Sequence, residues 1–146
     1  MSGQYMVRDF MTAPATSVPQ DASLLDASLT FRRTGFRHLP IVEGGRIVGV
    51  ISDRDVQRVS PSHFSELSQE KYNNVFRTTP LKDVMTRNPI TVTPDTPLSE
   101  AATILDELKV GCLPVVQDGQ LVGIITVIDM LKVLILYLRG RARVIT

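Results

Sequence analysis

The sequence predicts an α/β fold of two pseudo-symmetric β-α-β-β-α repeats packed through their sheets. Three observations lead there. The 146-residue chain aligns with itself, because the offset that sets Asp9 against Asp83 also sets Asp55 against Asp129 without a gap, the mark of a duplicated supersecondary unit. Each copy then runs from an apolar pattern of helical period into two β-branched runs around a Gly-containing turn. Finally, a unit of about 50 residues exposes one apolar sheet face and is too small to be comfortably stable alone, so the two must pack together.

The identities fall where geometry is demanding. Met11-Thr12 matches Met85-Thr86, Leu39-Pro40 matches Leu113-Pro114, Gly45 matches Gly119, Val48-Gly49 matches Val122-Gly123, and Asp55 matches Asp129. A short extended segment ends at Val18 or Val92. Helices follow over Ala22 to Thr34 and Pro97 to Leu108, with Leu24, Ala27, Leu29 and Phe31, or Leu98, Ala101, Ile104, Leu105 and Leu108, largely on one face; Thr96 before Pro97 is a helix-start signal. LPIVEGGRIVGVIS and LPVVQDGQLVGIIT read as hairpins. Ser52 and Thr126 then stand as N-caps of a closing helix. The repeats are expected over residues 1–59 and 80–138, joined by a polar linker with a short helix over 60–79 and followed by a basic tail over 139–146.

Composition excludes several classes. With 16 basic and 15 acidic residues the net charge is +1, which argues against a dedicated nucleic-acid binder. The RGRAR stretch is read as solvated. A single cysteine, Cys112, forms no internal disulfide and has no partners at zinc-ligand spacing, so no metal is expected and a reducing, cytoplasmic setting is. The N-terminus lacks a secretory pattern. The most apolar stretch, Val127 to Leu138, is too short to cross a bilayer and carries Asp129 and Lys132. Its apolar residues cover more of a helix than one buried face requires, so a partner surface is expected there. Catalysis is not: His38, Ser52 and Asp55 lack a nucleophile elbow, and Gly44-Gly45 lie in a hairpin turn where neither a P-loop nor a dinucleotide fingerprint would place them.

The doubled MT, the LPIV or LPVV runs, the glycine turns, and GVISDRD with GIITVID resemble the CBS domain pair, or Bateman module, over Val7 to about Leu138. GCLPVV, LVGIIT and the SPSHFSEL insert before LKDVMT resemble the small stand-alone proteins of the acetoin-utilisation type. The resemblance implies a regulatory module that senses an adenosine-containing ligand (AMP, ADP, ATP or S-adenosylmethionine) in clefts between the repeats, for a regulated protein the sequence does not identify, and a two-fold homodimer formed through helices such as Val127 to Leu138. It implies that Asp55 and Asp129 accept hydrogen bonds from ribose hydroxyls, with Ser52 and Thr126 beside a phosphate. Carried over by position, one cleft uses Arg37, His38, Ser52, Arg54 and Asp55 with Met85 to Ile90, Val110 and Gly111. The other uses Cys112, Thr126 and Asp129 with Met11 to Thr16, Phe36 and Arg37. Arg37, His38 and Arg54 make the Asp55 cleft the better phosphate site, since Gly111, Cys112 and Ile128 replace them in the second copy.

Plainer readings stand beside these. Ser or Thr with Asp three residues on is also a capping box, Arg37 and Arg54 also suit a solvated surface, and Cys112 suits a buried strand. The alternative function is a ligand-free dimerisation scaffold.

Overall fold

Residues 5–59 and 69–145 are described by the structure, a computed structural model, with side chains described through Gly140. Residues 60–68 of the expected linker, His63 among them, lie outside the described residues. The chain forms two compact units, Thr16–Pro89 and Met1–Ala15 with Ile90–Thr146. The packing units are therefore offset from the sequence repeats, because each leader segment packs with the other repeat's hairpin.

In the unit Thr16–Pro89, strand β1 (Val18–Pro19) runs parallel to β2 (His38–Glu43), which pairs antiparallel with β3 (Arg46–Ser52), and β3 in turn with β4 (Thr86–Arg87). Helix α1 is Leu24–Thr34, two residues shorter at its start than the apolar pattern suggests. Ser23 is the reason. Its Oγ accepts from Asp26 N–H while its own N–H donates to Asp26 Oδ2, a closed capping box that fixes the first turn. Gly35, left-handed at φ 75°, ends the helix. Leu24, Ala27 and Phe31 enter the core, but Leu29 stays half exposed, so the buried stripe is narrower than expected. Helix α2 is Asp53–Arg58 and α3 is Gln69–Thr78, the short helix expected before Pro80. Phe76 of α3 is buried against Tyr72, and Leu81, in the following 3₁₀ turn, is wholly buried with Leu24, Leu39, Ile41 and Ile51.

The second unit repeats this plan with different closures. Helix α4 is Leu98–Leu108. Pro97 occupies its N-cap with extended ψ, not the first helical position, and Thr96 Oγ1 accepts from Thr93 N–H in the preceding turn. Strands β5 (Cys112–Gln117) and β6 (Gln120–Thr126) form the hairpin around Asp118-Gly119, both at positive φ as such a turn requires. The N-terminal segment joins this unit: Val7 N–H donates to Thr96 O, Thr12 exchanges two backbone bonds with Ile124, and Val7 is wholly buried with Leu105, Leu113, Val115 and Ile125. Helix α5 is Val127–Ile145, so the expected basic tail continues a helix to Ile145. Leu131, Leu134, Ile135, Leu136 and Leu138 on it are exposed. Among the described residues no helix is long and apolar enough to cross a membrane.

The Met-Thr and Val-Gly identities explain each other. A Cβ on Gly49 would lie 2.5 Å from Met85 Sδ and 2.9 Å from Thr86 O; on Gly123 it would lie 2.9 Å from both Met11 Sδ and Thr12 O. Any larger residue must push a backbone carbonyl away. Gly49→Ala is expected to lower stability by about 1–3 kcal/mol through overpacking, read as a lower denaturation midpoint with unchanged slope.

Candidate functional site

Each hairpin delivers its last residue to the start of a helix. The register pairs His38 with Ser52 and Cys112 with Thr126, so the residue that opens each hairpin lies beside the residue that caps the next helix. The loop before the hairpin holds the turn from behind: Asp53 N–H donates to Arg37 O at 3.0 Å, and Val127 N–H to Gly111 O at 3.1 Å. Because the carbonyl makes that bond, the side chain at this position is free to be Arg in one copy and absent in the other.

Both capping boxes form. Ser52 N–H donates to Asp55 Oδ2 at 2.8 Å and Asp55 N–H to Ser52 Oγ at 3.1 Å. In the second copy Thr126 N–H and Oγ1 both donate to Asp129 Oδ2, at 2.9 and 3.1 Å, and Asp129 N–H reaches Thr126 Oγ1 at 3.2 Å. Capping thus occupies one carboxylate oxygen and leaves the other. Among the described residues, Asp55 Oδ1 has only the Arg58 guanidinium 3.8 Å away, with Arg58 largely in solvent, a weak surface pair. Asp129 is only 6% exposed, yet its Oδ1 enters no hydrogen bond among the described residues and is not sealed from solvent.

The unit Thr16–Pro89 holds Thr16, Phe36, Arg37, His38, Ser52, Arg54 and Asp55; the other holds Ile90, Val110, Gly111, Cys112, Thr126 and Asp129. His38, Ser52 and Asp55 are brought together, as are Cys112, Thr126 and Asp129. Phe36, Ile90 and Val110 are exposed apolar residues, Thr16 is half-buried, and Arg37 and Arg54 are exposed. Sequence reasoning passed over Arg58 and Asp53. The signal for Arg58 was its i,i+3 spacing from Asp55, and for Asp53 its place in the turn facing His38.

Burial lowers the His38 pKa from the ordinary 6.5, with Asp53 and Asp55 pulling it back up and Arg37 pushing it down. Neutral imidazole is therefore the folded form near neutrality. Below pH 6.5 the unfolded chain binds more protons than the folded one, so stability falls as pH drops through that window and levels off below the folded pKa. His38→Gln is expected to flatten this part of a pH–stability curve measured by urea unfolding. Burial pushes the Cys112 thiol up to about 12, which removes thiolate chemistry and fits a core residue. Among the described residues no cluster of His, Cys, Asp or Glu could hold a metal ion.

The CBS domain family model matches residues 7–62 and 81–136. The chain belongs to the CBS domain family. Three solved structures show the neighbourhood. A protein assigned to acetoin utilization (AcuB) from Vibrio cholerae is 32% identical with TM-score 0.79, the match covering 97% of this chain and 98% of that one. CBSX2 in complex with AMP is 31% identical with TM-score 0.74, covering 91% and 98%. The CBS domain pair of protein MJ0100, in complex with 5′-methylthioadenosine and S-adenosyl-L-methionine, is 25% identical with TM-score 0.74, covering 88% and 98%. This chain is thus a CBS pair similar in extent to those solved chains.

Proposed function

We propose that this CBS pair is a stand-alone, non-catalytic regulatory module that binds an adenosine-containing nucleotide and passes its occupancy to a partner protein. One observation carries the reading: at matched positions in both repeats the carboxylate closes the helix turn with Oδ2 and keeps Oδ1 for another donor. A ribose hydroxyl is such a donor, and a charge-assisted bond to it is strong. That relatives of the same fold hold AMP, or S-adenosyl-L-methionine and 5′-methylthioadenosine, supports the ligand class. Phe36 in one unit, and Ile90 and Val110 in the other, are exposed apolar residues of a kind suited to packing on a base. Cytoplasmic residence fits a buried, unreactive Cys112. The exposed apolar side of α5 fits a homodimer, in which a closed two-fold is the commonest arrangement.

Thermal shifts with AMP, ADP, ATP, S-adenosylmethionine and NAD test the reading, since a ligand of the native state raises apparent stability by RT ln(1 + [L]/Kd). At least one should raise the melting temperature in proportion to the logarithm of its concentration. No response to any would leave the ligand-free scaffold.

The Asp55 site carries Arg37, Arg54 and Arg58, whereas Gly111, Ile128 and Lys132 stand at the matched positions around Asp129. Arg54→Met should therefore weaken AMP by about 2- to 5-fold at the first site and leave adenosine nearly unchanged, in titration calorimetry at low salt. Equal weakening of both ligands would remove Arg54 from any phosphate role.

A further inference from the structure

We propose that a second copy of the chain docks with the C-terminal end of its α4 against the C-terminal end of α1, setting Arg32 and Arg33 against the partner's Asp106 and Glu107. Helices α1 and α4 are equivalent through most of their length. Leu24 and Leu98, Ala27 and Ala101, and Phe31 and Leu105 fill the same core positions, and both first turns are acidic, at Asp26 and Glu100. Only the last turn is inverted, where Arg32 matches Asp106 and Arg33 matches Glu107.

The inversion does not serve α4 by itself. Cations at a helix C-terminus complement its dipole, so Arg32 and Arg33 suit α1, but two carboxylates in the last turn of α4 oppose it. The left-handed Lys109 at the α4 cap offsets only one of them. All four charged residues are exposed, and none of their side chains enters an ion pair or hydrogen bond among the described residues. Half-exposed leucines adjoin both ends, Leu29 on α1 and Leu108 on α4. An α1–α1 contact would set four guanidiniums together and an α4–α4 contact four carboxylates. An α1–α4 contact joins opposite charges, and a single two-fold axis makes it twice. Helix α5, which lies beside α4 and shares its core through Ile104, Met130 and Val133, brings its exposed apolar residues to the same interface. The inference rests on the dimer proposed above and fixes which surfaces meet.

The test uses two full-length variants in analytical ultracentrifugation: Arg32→Glu with Arg33→Glu, acidic at both helix ends, and Asp106→Lys with Glu107→Lys, basic at both. Each alone should dissociate about tenfold or more readily than the wild type, and an equimolar mixture should recover a dimer, because each end then meets its opposite. If a reversed chain fails to melt cooperatively, Arg32→Gln with Arg33→Gln must weaken the dimer in the same direction. Variants that dimerise like the wild type, or that weaken without rescue on mixing, overturn this docking while leaving a dimer in place. A wild type that stays monomeric at tens of micromolar overturns the dimer itself.

Discussion

Asp55→Ala is expected to weaken nucleotide binding at its site by about 10- to 150-fold, corresponding to roughly 1.5–3 kcal/mol for hydrogen bonds to a charged acceptor. Asp129→Ala should do the same at the second site. The alanine also opens the capping box, because Oδ2 of each carboxylate accepts the backbone N–H of Ser52 or Thr126, so stability should fall by about 1 kcal/mol as well. Asn separates the two effects. It keeps an oxygen for the cap and loses the charge, so Asp55→Asn should retain most of the stability and still lose much of the affinity in titration calorimetry. Affinity that tracks stability through both substitutions would reduce the carboxylates to caps.

The second large effect belongs to α5. Leu134 and Leu138 lie one turn apart and are both exposed, and burying each leucine against a second copy is worth about 1.5–3 kcal/mol. Replacing both with aspartate removes that gain and asks a dimer to desolvate two charges. Leu134→Asp with Leu138→Asp should therefore raise the dissociation constant by about a thousandfold or more, leaving monomer in sedimentation at tens of micromolar, with the melting transition of the single chain preserved. A dimer of unchanged strength would place the interface away from α5.

The repeat made most of the fold legible. Short elements with strong local chemistry, such as the Asp118-Gly119 turn and the Ser52 and Thr126 caps, lie where their residue types demand. Two features were not legible. Leu29 and Leu108 fit the apolar pattern yet stay exposed, because periodicity marks a helix face without saying how wide a stripe the sheet covers. The exchange of leader segments depends on pairings such as Thr12 with Ile124 and Thr86 with Val50, which join residues far apart in the chain and leave no local pattern. The Met-Thr and Val-Gly identities did hold its trace, since Gly49 and Gly123 are small to let those segments cross. At the candidate site, ribose and capping roles looked like rivals in the sequence. The atoms show that capping uses Oδ2 alone and leaves Oδ1 for the proposed ribose contact, a distinction that residue types do not carry.

The most direct measurement is a crystal structure grown with saturating AMP. It should show ribose hydroxyls about 2.6–3.2 Å from the Oδ1 of Asp55, of Asp129 or of both, with Ser52 and Thr126 still capping through Oδ2. Nucleotide absent from both carboxylates, or bound with its ribose turned away from them, would contradict the account.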